Sequence, residues 1–264
     1  MKAALVADPH KPHHRRWLGA LAEGLGRHGI ASAWVEPGQW PGCDFACHWG
    51  WRTATRIVAP MPRLILEAGY LGDRLTGWAS AGWNGLNGRA EFHNADSPGD
   101  RAARWCRLLQ PCRAFGAGTV VIMGQVAGDQ AWHGVDPATW YRRTYALVKE
   151  ATGRPVYFRP HPFGGSQNHG MEEIAGSLDE ALALAGGVVT FNSNAGVDAV
   201  LAGVPTIAAD PGSMVWGLVP SAPPFEPVDS GARLRWLERL AYCQWTAEEL
   251  RDGTAWDHIG KGLK

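Results

Sequence analysis

The chain has 264 residues, with 25 basic and 25 acidic side chains and a formal net charge of zero. That length holds one large domain or two small ones, and balanced charge gives a polyanionic partner no support beyond local patches. No apolar run reaches the roughly 20 residues of a bilayer-spanning helix, and Met1–Asp8 meets an acid too early for a secretory signal, so the expected location is cytoplasmic.

The elements are read from periodicity and breakers. Residues 2–8 form a short apolar strand, and a helix from about Arg15 to His28 carries Trp17, Leu18, Leu21 and Leu25 on one face before Gly29 ends it. Strands follow at Ile30–Val35 and Arg63–Glu67. The Gly-, Asn- and Trp-rich stretch from Gly72 to Pro98 reads as a long functional loop. Residues 100–110 look helical, and Pro111–Gly118 looks like a linker. Strand Thr119–Met123, helix Pro137–Thr152, strand Pro155–Phe158, helix Ser177–Ala185, strand Val188–Phe191, helix Ala195–Ala202 and strand Val204–Ala208 then alternate. Such alternation argues for a parallel, doubly wound sheet. A final helix is expected over about Ala232–Arg251.

The 5 cysteines, Cys43, Cys47, Cys106, Cys112 and Cys243, are odd in number and irregularly spaced, which argues against a disulfide framework. Cys43-x3-Cys47-His48 has metal-ligating residue types but no second pair of matching spacing, so the expectation is ordinary thiols and no metal. The 34 Gly and 18 Pro imply many tight connections, and the 14 Trp either fill cores or stack on sugars or bases.

Two strand ends carry the clearest chemistry. Arg159-Pro160-His161-Pro162 closes one strand. Asn192-Ser193-Asn194-Ala195-Gly196 closes another and opens a helix. A cation and an imidazole beside a helix start rich in hydroxyl and amide groups make a place for a phosphate. In parallel sheets, ligands bind at the carboxyl ends of the strands, where both motifs lie.

Gly124-Gln125-Val126-Ala127-Gly128-Asp129, Arg159-Pro160-His161-Pro162 and Asn192 to Pro205, in that order, resemble three motifs of the bacterial capsule Kdo-transferases, within the glycosyltransferase-B-like group. Glu67-Ala68-Gly69-Tyr70 to Arg74, Gly82 to Arg89 and the tail Trp236 to Thr246 resemble bacteriophage-type glycosyltransferases that modify DNA. The resemblance implies an α/β, glycosyltransferase-B-like fold: two Rossmann-like parallel-sheet domains facing a cleft. Residues 1–117 would bind the acceptor and residues 118–225 the nucleotide-sugar, with residues 226–264 forming a helical tail that packs back on the first domain. It implies a metal-independent, inverting sugar transfer. The donor is a nucleotide-sugar bound as substrate, a UDP-sugar ahead of a CMP-sugar, and no cofactor is tightly held. The leading acceptor is a 5-hydroxymethyl pyrimidine in phage DNA, which would place the protein in the host cytoplasm. A capsule or lipopolysaccharide glycan is the alternative.

Gln125, Arg159, His161, Asn192, Ser193, Asn194, Gly196 and Asp198 are the donor-side candidates. The capsule enzymes' base falls at Ala68, which takes no proton, so Glu67, Asp73 and Asp8 are the candidate catalytic carboxylates. The run His10-Lys11-Pro12-His13-His14-Arg15-Arg16 is the best local basic patch, and His10, Lys11, His13, Arg15 and Arg16, with Arg74, Trp83 and Asn84, are the acceptor-side candidates. Trp17, Trp49 and Trp51 join Trp83 as stacking candidates. Asp8-x-His10 also fits the opening of a binuclear metallophosphoesterase, but the Asn-His-Glu such a site needs is missing from the sequence. A non-catalytic nucleotide-sugar-binding module is the remaining alternative, favoured by Ala68.

Overall fold

A computed structural model describes residues 1–8, 10–36, 42–51, 61–116 and 118–263. Pro9 of the expected first strand end, Ala117 of the expected linker and domain boundary, and Lys264 at the end of the expected tail lie outside the described residues. The chain divides into two compact units, one of residues 1–102 with 238–264 and one of residues 103–237.

The first unit is built on a six-stranded sheet in the order β10-β5-β4-β3-β1-β2. Its strands are β1 (Lys2–Val6), β2 (Ala31–Trp34), β3 (Phe45–Trp49), β4 (Arg63–Ala68), β5 (Ala79–Trp83) and β10 (Gln244–Trp245). The neighbours β2, β1, β3 and β4 pair in parallel, while β5 is antiparallel to β4 and β10 antiparallel to β5. Helix α1 (Pro12–Arg27) lays Trp17, Leu18, Leu21 and Leu25 into the core with Phe45, Cys47 and Leu64. Pro12 stands in its first turn, where a missing N–H costs nothing.

One expectation fails here through a strand, and a second strand, β3, was not among the expected elements. The stretch from Gly72 to Pro98 is not one loop, because it contains β5, whose five residues are all buried. Its sequence, Ala-Ser-Ala-Gly-Trp, has little β-branched content, so pairing with β4 and β10 decides it rather than propensity. Cys47 and His48 lie in β3, also buried throughout. Cys47 packs in the α1-side core, and alternation along the strand sends His48 to the other face.

The tail is not one helix either. Helix α5 (Ser230–Ala241) ends before β10, and a capping box at Thr246 and Glu249 starts α6 (Ala247–Arg251), followed by α7 (Thr254–Ile259). Gly24 of α1 is required by this tail, since a Cβ there would overlap the Leu250 carbonyl oxygen. The buried Gln244 side chain accepts from the backbone N–H groups of Tyr70 at 2.7 Å and Leu71 at 2.8 Å, tying β10 to the turn after β4. Arg101 makes a two-pronged ion pair with Glu249, at 2.6 and 3.2 Å, and lies 4.1 Å from the Trp245 ring centre.

The second unit has a four-stranded, all-parallel sheet in the order β7-β6-β8-β9. Its strands are β6 (Thr119–Met123), β7 (Val156–Arg159), β8 (Ala185–Thr190) and β9 (Thr206–Ala208), joined by helices α2 (Pro137–Thr152), α3 (Leu178–Leu184) and α4 (Ala195–Leu201). Ser177 caps α3 in a capping box with Glu180. The sequence expectations for these elements agree with the structure to within a few residues.

The expected linker differs. Gln110 N–H donates to Leu201 O and Arg113 N–H to Gly203 O, both at 2.8 Å, and the Arg113 guanidinium reaches the Leu182 carbonyl at 2.9 Å. Buried Arg233 bonds the carbonyls of Gln110 and Leu201, each at 2.8 Å. Backbone groups satisfied in this way hold residues 103–116 and the first part of α5 in the second unit. The unit boundaries therefore fall at 102/103 and 237/238 rather than at 117/118 and 225/226.

Candidate functional site

In the second unit the chain runs from β6 to β7 on one side and then crosses to β8 on the other. The carboxyl ends of β6 and β8 therefore flank a switch point, where open parallel sheets bind ligands. Gly124 leaves β6 and donates its N–H to Arg159 O at 2.8 Å. A Cβ at Gly124 would come within 2.7 Å of that oxygen and 3.0 Å of His161 N, so only glycine lets the two strand ends close up.

Gln125 follows, 5% exposed, with its backbone N–H bonded to the Tyr141 hydroxyl at 2.8 Å. That hydroxyl in turn donates to Met123 O at 3.3 Å. Burial lowers the pKa of Arg159, and the charge of the nearby Asp198 carboxylate opposes the shift. His161 is held by its backbone N–H to Ser166 Oγ at 2.8 Å, and its Nδ1 accepts from Phe163 N–H at 3.2 Å. A neutral ring bonded this way carries its proton on Nε2, as a donor. Burial first and the Arg159 charge second pull the His161 pKa down, and Asp129 opposes them. A bound phosphate would add a further opposing charge.

At the end of β8, Ser193 N–H bonds Thr190 Oγ1 at 3.0 Å and Ser193 Oγ accepts from Ala195 N at 3.3 Å. Asn192 spends both amide hydrogens inside the protein, on Ala131 O at 2.7 Å and Asp210 Oδ1 at 2.9 Å. Asn194 precedes α4 without a side-chain cap. Gly196 is buried, and a Cβ there would meet Thr190 Cγ2 at 3.0 Å, so its placement serves helix-on-strand packing.

Gln125 Oε1, Arg159 Nε, Asn192 Oδ1 and Asn194 Oδ1 are all buried and without a hydrogen-bond partner. Buried polar atoms are rarely left so, and these 4 of the 8 among the described residues fall at one strand-end edge. Asp129, Tyr141 and Asp210, which buttress this edge, were not singled out in sequence. Asp129 closes the Gly124–Asp129 run, and that was the available signal.

In the first unit, Asp8 follows β1 and Glu67 is the penultimate residue of β4, so both stand at the carboxyl edge. Glu67 is half-buried and pairs in register with Ser80. A Cβ on Gly50, just past β3, would lie 3.1 Å from Glu67 Oε1. Asp8 Oδ1 accepts from His10 N at 3.0 Å, a bond that lowers its pKa. Asp73 is exposed and closes its own turn, accepting from Leu75 N and Thr76 N, each at 3.2 Å, and from the Thr76 hydroxyl. Those bonds hold its carboxyl below the usual range and occupy its oxygens.

Lys11, His13, Arg15 and Arg16 cluster at the start of α1, with His10 just before it. Arg16 reaches Thr76 O at 3.2 Å, and Arg74 belongs to that same turn. Trp83 and Asn84 are elsewhere. Because β5 runs antiparallel, Trp83 pairs with Leu64 at the amino end of β4, the opposite edge of the sheet from Glu67. Trp83 is 1% exposed and donates its indole N–H to Ile259 O at 2.8 Å, so it packs the core and offers no face to a base. Asn84 Oδ1 caps Arg63 N at 3.0 Å, also at that far edge. Trp17 and Trp49 are likewise core, their buried rings stacked 6.0 Å apart. Trp51 is only partly exposed.

His14 was missed. It is buried, accepts from Asp8 N at 3.1 Å, and sits against Trp49 with ring centres 6.0 Å apart. Burial and the neighbouring His13 push its pKa down to about 4, so it is neutral at pH 7. Its signal was its place three residues before Trp17 on the apolar face of α1. Among the described residues, no group of three or more His, Cys, Asp or Glu side chains is arranged to hold a metal.

No family model and no curated protein matches the chain in sequence. In structure it is similar to two transferases of KpsC from Thermosulfurimonas dismutans. The beta Kdo 2,4 transferase superposes with a TM-score of 0.60 at 17% identity, covering 92% of this chain and 90% of the other. The beta Kdo 2,7 transferase superposes with a TM-score of 0.59 at 17% identity, covering 96% and 98%. At that identity the likeness shows the fold. The chain has the glycosyltransferase-B-like α/β fold of these enzymes.

Proposed function

We propose that this protein is a glycosyltransferase that moves a sugar from a nucleotide-sugar to a hydroxyl acceptor by direct, inverting displacement. The observation that carries this reading is the edge formed by Gln125, Arg159, His161, Asn192 and Asn194, with four buried polar atoms unpaired. Arg159 and the His161 Nε2–H hold the donor phosphate and stabilise the charge it gains on leaving. Asp198, whose charge acts on Arg159, receives a donor hydroxyl.

Glu67 is the base. It takes the proton of the acceptor hydroxyl as the new C–O bond forms at the anomeric carbon. The bond to the phosphate breaks, and its electron pair leaves with the nucleotide. Asp73 is set aside because its acceptor capacity is spent on its own turn, and Asp8 is kept as the second candidate.

The acceptor is a glycan hydroxyl, of the capsule or lipopolysaccharide kind. A hydroxymethylated pyrimidine in DNA is the second reading, favoured by the exposed Lys11, Arg15 and Arg16 at the start of α1. UDP-sugars are the first donors to test and CMP-sugars the second.

The test incubates the full chain with UDP-, CMP- and GDP-sugars and two acceptors, a capsule-type oligosaccharide and hydroxymethylated DNA, and weighs the products. Transfer to the oligosaccharide supports the proposal. Salt-sensitive transfer to DNA alone moves it to the second reading, and release of no nucleotide from any donor sinks it.

A further inference from the structure

Phe163 takes no part in the reading above, yet at 76% it is the most exposed large apolar side chain among the described residues. Its backbone is firmly held. His161 N–H bonds Ser166 Oγ at 2.8 Å, Gly164 N–H bonds His161 O at 2.9 Å, and Ala127 N–H bonds Gly165 O at 3.0 Å. Gly164 and Gly165, with φ of 73° and 74°, turn the chain sharply behind it. An ordered turn thus presents a phenyl ring to solvent and forgoes the burial such a ring ordinarily gains. The ring centre lies 5.5 Å from that of His161, tilted by 57°.

That position selects an occupant. A nucleotide whose phosphate meets Arg159 and His161 carries its base one ribose away. A phenyl ring has a π-face and no hydrogen-bonding group, which suits the flat face of a base and not a phosphate or the hydroxyl edge of a sugar. We infer that Phe163 is the stacking platform for the nucleobase of the donor. This rests on the donor-site reading above and adds the group that distinguishes a nucleotide from a bare sugar phosphate.

The test measures binding of UMP, CMP and ribose 5-phosphate to the full chain by NMR shift titration, with Phe163→Ala and Phe163→Trp beside the wild type. Phe163 is exposed, so both variants keep the fold, which circular dichroism checks. The expected result is a loss of about tenfold in affinity for UMP or CMP in Phe163→Ala, equivalent to ~1.4 kcal/mol. Phe163→Trp restores that affinity, and ribose 5-phosphate binds all three proteins alike. Equal losses for nucleotide and ribose 5-phosphate, or no loss for either, overturn the stacking role while leaving the donor site standing. A wild type that binds none of the three overturns the donor site and this inference with it.

Discussion

The two units solve the same problem with different chain economy. In the second, four parallel strands follow one another through intervening helices, and every donor-side residue stands at the end of a strand, on the turn after it or in the helix that follows. In the first, four parallel strands are extended by β5 and by β10, which returns from a distant part of the chain. Its candidate residues scatter, with Asp8 and Glu67 at one edge and Trp83 and Asn84 at the other. Sequence proximity reports spatial proximity in the second unit and misreports it in the first.

The sharpest way to test that contrast is to remove one group from each side. Glu67→Gln should lower kcat by roughly 10²–10⁴-fold without altering nucleotide binding, since a base acts only in the chemical step. An unchanged kcat would move the base to Asp8. His161→Ala should cost about 10²–10³-fold in kcat/KM through lost stabilisation of the leaving phosphate. It should also weaken nucleotide binding in a titration, which Glu67→Gln should not.

Next in size is a stability effect confined to one unit. Gly24→Ala forces a methyl group into the Leu250 carbonyl, an overpacking cost of about 1–3 kcal/mol. Denaturant unfolding followed by hydrogen exchange should show the loss in residues 1–102 and 238–263 and leave β6–β9 protected.

Acid should discriminate the units as well. Burial depresses both His14 and His48 of the first unit to about 4 from the ordinary 6.5. The unfolded chain therefore binds protons that the folded one refuses, and stability falls as pH drops from about 6.5 towards 4, then levels off. Exchange protection of β1 and β3 should decline over that window ahead of β6 and β8. The smallest expected effect is Asp73→Asn, which should leave activity within about twofold and cost up to ~1 kcal/mol, because the amide keeps part of the turn's hydrogen bonding. A collapse of turnover would return Asp73 to the chemistry.

Legibility followed the same divide. The alternation from Thr119 to Ala208 was readable because each strand is largely apolar and two of the three helices carry a start signal, Pro137 and Ser177. Strand β5 was not, because Ala-Ser-Ala-Gly-Trp has no strand signature and owes its conformation to partners on either side. Trp83 read as a stacking residue because a tryptophan beside Asn and Gly looks like a loop, and only the antiparallel pairing turns it inward. Gln125, Asn192 and Asn194 were named from motif order, but the burial of their side-chain oxygens comes from packing that no spacing encodes.

Gln244 and Gly24 have a consequence for how the molecule is made. The first unit needs β10 and α6, which leave the ribosome after every residue of the second unit. Synthesis therefore completes the unit in the middle of the chain first, while the earlier strands wait with an unfinished edge at β5 and an uncovered α1. A released chain ending at residue 237 should hold a protease-resistant second unit and a cleavable first one, reversing the usual vectorial order.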